Sequence, residues 1–513
     1  MSKKSRYQNS SRRKRRIENR LRQLECPDDD KPVFTASNIH YDVSNRTDGF
    51  GHGGIGAIHL MVTQIELAKA IDENVHLLKI HLPYHESDHV LNMTYNILCG
   101  GSCLEDLELL RNDEVYLDAL GAQRIPDPTT AGDFCRRFDE SEVEALMTAI
   151  NQARLKVWQS QDDSFFEEAI IEADGTLAPT LGECKEGMDI SYKGTWGYHP
   201  LIVSLANTAE PLYLVNRSGN RPSHEGATER FDQAMDLCRE AGFRSILLRG
   251  DTDFTQTKSL DEWDAAGDVR FVFGINSCKQ LRQIAADLPD TQWKSLNRPA
   301  SYEVQTEARQ RPENVKDGIV FAREYKNLRL DSEQVAEFTY TPTQCQKPYR
   351  VVVCRKNISV EKGEQLLFDE IRDYFYITND LASSKEQIVY SANARCNQEN
   401  LIEQLKDGAK ALRMPVDGLV SNWAYMVITS LAWTLKAWFG LLLPVQGRWS
   451  AKHEAEKREV QRMEFKRFVN AFIRVPCQIV RGARRIAFRL LSWNPWQAVL
   501  LRAVDALRRP LRC

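Results

Sequence analysis

The sequence predicts a multidomain α/β protein: a helical N-terminal domain, a mixed sheet interrupted by a β-rich insertion, and a basic helical C-terminal tail. Three observations predict it. At 513 residues the chain is too long for one ordinary domain. Strand-length apolar runs alternate with amphipathic helices from about residue 165, after a stretch with helical spacing alone. Charge is also unevenly placed. Residues 1–25 hold ten Lys/Arg against two Glu, and residues 451–513 hold fifteen against five acids. With an overall net charge of −3, the segment between carries −21. Basic ends on an acidic body point to ends that meet a polyanion.

Taken in order, residues 1–30 read as a basic arm, able to form a helix on DNA up to P-D-D-D-K-P and disordered when free, with Arg12, Arg13, Lys14, Arg15 and Arg16 as candidate phosphate contacts. Residues 31–160 read as a helical domain. I-G-A-I-H-L-M-V-T-Q-I from Ile55 has helical apolar spacing, and H-V-L-N-M-T-Y-N-I-L-C from His89 stops at Gly100–Gly101. In P-D-P-T-T-A-G-D-F-C-R-R, Thr129 or Thr130 is the expected N-cap of a short helix bearing Arg136 and Arg137, a candidate recognition helix.

Residues 165–298 give three strands, a helix closed by Gly242, a strand, a short helix and a fifth strand. A meander followed by two crossover strands is the order of a ribonuclease-H-like fold. Residues 299–378 are β-rich again (D-G-I-V-F-A-R-E-Y, V-A-E-F-T-Y-T, Y-R-V-V-V-C-R, Y-F-Y-I-T-N-D) and read as an insertion before the last helices of that fold. Those helices fall at 379–445, the first running unbroken from Ser383 through Glu399 towards Lys410. Residues 446–513 read as basic amphipathic helices broken at Pro476 and Pro495.

Three acids carry the chemistry. Asp174 ends the first strand of the sheet, in E-A-D-G-T. Asp251 ends the fourth, in L-L-R-G-D-T-D-F. Glu399 lies on the delayed helix. Two strand-end carboxylates and a helical one suit metal-dependent phosphoryl transfer, because hard divalent cations take few carboxylates each and keep several waters. Each acid has a same-face rival: Glu172, Asp253 and Glu403. Arg395, Glu399, Glu403 and Lys406 share one helical face, which also fits a solvated salt-bridge stripe.

In this setting the residues resemble the DDE transposases of bacterial insertion sequences, nearest the insertion-sequence-1380 group. Its signature of tyrosine, two residues, arginine, three residues, glutamate, six residues and lysine is met by Arg395, Glu399 and Lys406. Ala392 stands at the tyrosine position and Tyr390 lies two residues early. The resemblance implies that Asp174, Asp251 and Glu399 bind two Mg²⁺ ions, with Mn²⁺ as a substitute. It implies strand cleavage at terminal inverted repeats and joining of 3′ ends to target DNA, with Arg395 and Lys406 on phosphates. It further implies double-stranded DNA as partner, a homodimer on DNA, and a bacterial cytoplasmic, nucleoid-associated location without membrane contact.

The remaining features are quieter. Twelve cysteines show no C-x-x-C pair, which suits reduced thiols, and the basic N-terminus lacks the apolar stretch of a secretory signal. W-A-Y-M-V-I-T-S-L-A-W-T-L-K-A-W-F-G-L-L-L-P at 423–444 is nearly long enough to span a membrane, but Lys436 favours a buried core helix. G-H-G-G-I-G at 51–56 reads as a loop rather than a phosphate cradle. Trp293 could stack on a flipped base but is more readily a core residue. The rival functions are an inactive DNA-binding derivative and a membrane-associated basic protein.

Overall fold

The computed structural model describes residues 3–22, 40, 49–81, 83–298, 315, 319, 323, 327–361, 370–482 and 485–509. Its centre is a nine-stranded mixed sheet. In chain order the strands are β1 (Ala169–Gly175), β2 (Leu201–Leu205), β3 (Glu210–Val215), β4 (Ile246–Gly250), β5 (Val269–Ile275), β6 (Lys294–Ser295), β7 (Asn327–Tyr340), β8 (Tyr349–Glu361) and β9 (Glu370–Thr378). Across the sheet they run β6-β7-β8-β9-β5-β4-β1-β2-β3. The pairs β1–β2 and β2–β3 are antiparallel, whereas β1–β4 and β4–β5 are parallel. Apolar runs fully buried in β2 and β4 explain why these strands lie inside the sheet rather than at its edge.

The β-rich stretch is an insertion along the chain but a continuation in space. Strand β9 pairs antiparallel with β5, Phe375 opposite Ile275, so β6 to β9 extend the sheet past β5. Most of the expected D-G-I-V-F-A-R-E-Y strand lies outside the described residues, as do residues 23–30 of the arm.

Helix α1 (Lys3–Arg22) spans the basic arm, the helical one of its two expected states. Its run of Arg, Lys, Gln and Asn is compatible with a helix, and it is anchored by Arg13 Nη1 donating to Leu490 O (2.8 Å) and Ser10 Oγ to Gln497 Oε1 (2.6 Å). Helix α2 (Pro128–Arg136) is capped by Asp127, whose carboxylate accepts from Thr130 N (2.8 Å). The threonine cap expected from sequence is thus displaced by an aspartate before a helix-starting proline. Helix α3 (Glu140–Gln159) leads into the sheet, α4 (Ala227–Ala241) packs its Phe231, Ala234 and Met235 side against it, and the short α5 (Leu260–Ala265) precedes β5.

Helices α6 (Lys385–Asn393) and α7 (Cys396–Glu403) precede the apolar segment, which forms helix α8 (Leu419–Leu441) and is buried from Ser421 to Leu441. Its tryptophans lock onto β3: Trp433 Nε1 donates to Ala209 O (2.6 Å) and Trp438 Nε1 to Glu210 Oε1 (2.6 Å). Lys436 donates to Gln461 O (2.6 Å) and lies 4.2 Å from the Trp433 ring centre, and burial lowers its pKa to about 7. Among the described residues no helix is long and apolar enough to cross a membrane.

The tail is not all helix. Cys477–Gly482 and Arg485–Leu490 form a hairpin, and Gly49–Phe50 pairs onto it. Buried Cys477 and Ile479 alternate with more exposed neighbours, a period of two that the arginine content disguises. Helix α9 (Gln497–Leu507) follows. The glycines of G-H-G-G-I-G serve close packing against this tail: a Cβ on Gly54 would lie 1.6 Å from Phe472 O, and one on Gly53 2.5 Å from Val475 O.

Candidate functional site

Asp174 and Asp251 stand side by side because of the register of β1 and β4. Glu172 pairs with Arg249 in the last rung of the ladder, and an aspartate follows two residues further on in each chain segment, Asp174 within β1 and Asp251 just past the end of β4. Gly250 lets the chain turn sharply before Asp251: a Cβ there would meet Phe254 Cβ at 2.7 Å. Asp251 then caps a short turn, accepting from Asp253 N at 2.9 Å.

The third acid arrives on a split helix. Helix α6 (Lys385–Asn393) ends before Arg395, and α7 (Cys396–Glu403) restarts there. The unbroken helix expected from sequence is therefore interrupted, with Arg395 at the joint, where its Nη2 lies 3.8 Å from Asp251 Oδ2. Gln398 fixes α7 to the sheet by donating to Ile202 O (3.1 Å), and Leu401 and Leu405 are buried below it. Glu399 and Glu403 are exposed. Beyond Glu403 the helix widens, with Ala409 N donating to Gln404 O (2.7 Å), so Lys406 sits in a loosened turn.

The electrostatics couple these groups. Burial raises the Asp174 carboxyl to about 6, reinforced by Asp251 and Glu399 and opposed by Arg395 and the Gly175 amide. Burial also raises Asp251, which Arg395 opposes. The Lys406 pKa is lowered by burial, with Asp407 and Asp174 acting against that shift. Among the described residues no three His, Cys, Asp or Glu side chains gather closely enough to hold a metal ion. The carboxylates fit a hard cation in donor type, and Asp174 and Asp251 fit it in neighbourhood.

The rivals separate. Glu172 is sealed at 0 % exposure in an ion pair with Arg249 (2.6 Å), and Arg249 also donates to Ser391 O (3.1 Å), tying α6 to the sheet. Asp253 is exposed beside Asp251. Glu399 is the helix carboxylate among the main charges acting on Asp174. Tyr390 is engaged elsewhere, donating to Asn297 O at 2.5 Å. Trp293 has the Arg355 guanidinium 4.0 Å from its ring centre.

Sequence reasoning did not single out Arg249, although it lies in the same L-L-R-G-D string as Asp251. It also passed over His199 and Arg217, which pack over Gly175: a Cβ there would lie 2.9 Å from His199 Nε2 and 3.4 Å from Arg217 Nη2. Their neighbourhood depends on a contact between β1 and the start of β2 that no local pattern shows. The candidate nucleic-acid contacts lie apart from the acids in sequence. Arg136 is held by Asp417 (2.8 Å) and Asp133 (2.9 Å), and Arg137 is exposed. On α1, Arg12, Lys14, Arg15 and Arg16 are exposed and Arg13 is half-buried.

Comparison with solved structures finds similarity to a piggyBac transposase in a synaptic complex with hairpin DNA, at 11% identity and a TM-score of 0.34, covering 82% of this chain and 81% of that one. No curated protein sequence matches. The family model described as "Transposase DDE domain group 1" matches residues 50–511, nearly the whole chain, and the protein belongs to that transposase family.

Proposed function

We propose that this chain is a DNA transposase that cuts strands at the terminal inverted repeats of its element and joins the 3′ ends to target DNA. The observation that carries the reading is the pair of like-charged carboxylates at the ends of adjoining parallel strands, Asp174 and Asp251, with Arg395 the cation beside them. The strand order β3-β2-β1-β4-β5 supports it, being that of a ribonuclease-H-like core. The finer assignment is to the insertion-sequence-1380 group, acting as a homodimer on double-stranded DNA in the bacterial cytoplasm.

Asp174, Asp251 and Glu399 would hold the divalent ions, two Mg²⁺ or Mn²⁺. When bound, such ions supply activation of the attacking hydroxyl and neutralisation of phosphate charge. Glu399 is exposed in the first turn of α7, which leaves it free to swing towards the aspartates. Arg395, half-buried at the α6–α7 joint, offers a planar fork to a phosphate oxygen. Lys406 adds a second, partly desolvated positive charge near Asp174. The basic residues of α1, with Arg136 and Arg137, would carry sequence-independent affinity for the phosphate backbone.

The test is cleavage of a DNA carrying the inverted repeats that flank the gene, with Asp174→Asn, Asp251→Asn and Glu399→Gln. Each is expected to lower cleavage on the order of a thousand-fold and leave DNA binding within a few-fold. Full cleavage by any one variant removes that residue from the site. Binding without cleavage by the wild-type chain favours the inactive DNA-binding derivative.

A further inference from the structure

The connection between β1 and β2 is far longer than a turn requires. Four residues past Asp174 it starts a small antiparallel sheet, Ala178–Pro179 beside Trp196–Tyr198 beside Asp189–Ile190. The base of this finger is braced. Trp196 Nε1 donates to Gly182 O (2.9 Å), Tyr198 OH to Glu186 O (2.6 Å), Lys185 Nζ to Val416 O (2.6 Å) and Asn220 Nδ2 to Asp189 Oδ2 (2.5 Å). Its tip is closed by Ser191 N donating to Thr195 O (2.8 Å) and by Gly194 at φ +74°.

A braced hairpin gains nothing for its own folding by holding apolar side chains in water. Yet Ile190 is 58 % exposed and Tyr192 is 78 % exposed, with the Lys193 ammonium 5.3 Å from the tyrosine ring centre. The finger rises from the strand end that bears Asp174. The charge of Lys193 bears on Lys406, and Asp174 bears on Lys406 in turn. An exposed aromatic with an adjacent cation, next to the candidate cutting site, matches the face of a base and the phosphate beside it.

We propose that Tyr192 stacks on an unpaired nucleobase of the strand being cut while Lys193 holds the neighbouring phosphate. This rests on the transposase reading of the same site. Stacking on an aromatic face is tolerant of sequence, because every base offers a π-face. It also gives the site a way to hold a strand opened beside the scissile phosphate. Trp293, the aromatic suggested by sequence, is half-buried with the Arg355 guanidinium 4.0 Å from its ring centre, whereas Tyr192 stands exposed.

The experiment uses the full chain and a forked duplex with ten-nucleotide single-stranded arms containing 5-iododeoxyuridine. Irradiation followed by mass spectrometry is expected to place the cross-link on Tyr192. Tyr192→Ala is expected to lose it and to bind the fork about ten-fold more weakly, the size of one base–aromatic stack. Tyr192→Trp is expected to keep both cross-link and affinity, which a loss of folding would not allow. Asp174→Asn is expected to cross-link normally while failing to cut. A Tyr192 cross-link in a chain whose cleavage ignores Asp174 would leave the stacking role standing and remove the catalytic reading. Cross-links confined to other residues, with unchanged binding by Tyr192→Ala, would overturn the proposal. So would a fall in mass by light scattering for Tyr192→Ala without loss of the cross-link, since the finger would then serve a second copy of the chain.

Discussion

Strands β1 and β4 present the same kind of position twice, two residues apart, with opposite outcomes. At the inner rung Glu172 faces Arg249 at 2.6 Å and both are buried. At the outer rung Asp174 stands beside Asp251, acid against acid, with Arg395 at 3.8 Å from Asp251 as the nearby cation. The inner rung pairs its charges within the fold, although burial still raises the Glu172 carboxyl against the pull of Arg249, and Arg249 uses a further donor to hold α6. The outer rung keeps an excess of negative charge where burial makes it costly. Charge balanced at depth is structure, whereas charge left unbalanced at a strand end is a demand for something from outside the chain.

That contrast can be broken most directly at its outer rung. Asp174→Asn or Asp251→Asn should lower the cleavage rate on the order of a thousand-fold, the several kcal/mol that charge neutralisation at phosphorus supplies. Circular dichroism should show the fold retained. Glu172→Gln should do the reverse. It leaves Arg249 buried without its anion, which costs roughly 3 kcal/mol of stability, read as a lower denaturant midpoint, while activity per folded molecule stays within a few-fold. If Glu172→Gln instead kills activity in folded protein, the inner rung belongs to the site.

Arg395→Ala should cost about a hundred-fold in cleavage, as for removal of one preorganised charge, with Arg395→Lys restoring part. The outer rung also has a pH signature in chelator. The native Asp174 pKa, raised to about 6, exceeds the unfolded value. The native state therefore binds more protons between these values, and stability falls as pH rises through that window. Asp174→Asn should raise the thermal midpoint at pH 7 and lose that advantage below about pH 4. The smallest effect belongs to Glu403→Gln, expected to change cleavage less than about three-fold, as for an exposed surface charge. A larger loss there would move the third acid from Glu399 to Glu403.

The outer rung of this contrast is legible in the sequence, whereas the pairing of Glu172 with Arg249 is not. The apolar strings ending at Asp174 and Asp251 are local signals, and short buried strands announce themselves by composition. The spacing of Arg395 and Glu399 is local too. What could not be read is what depends on distant partners. Strand β9 pairs with β5 across about a hundred residues, so an insertion by sequence becomes the edge of one sheet. The break before Arg395 has no proline or glycine to announce it. The tail hairpin was hidden because its arginines look like those of a basic helix, although Cys477 and Ile479 keep the period of a strand.

The glycine contacts between residues 53–54 and 472–475 have a consequence for how the molecule is made. Helix Ile55–Gln64 buries Ile55, Ile58 and Met61, and its start is covered by chain emerging more than 400 residues later. At ordinary rates of synthesis that interval is on the order of half a minute. Throughout it the start of this helix lacks part of its cover, although its near neighbours Leu67–Asn74 and Glu114–Leu120 pack against it much earlier. A chain ending before residue 472 would leave the start of this helix without the backbone bonds from Gly53 N to Val475 O and from Gly54 N to Ile473 O, so the first helices and the last residues stand or fall as one unit.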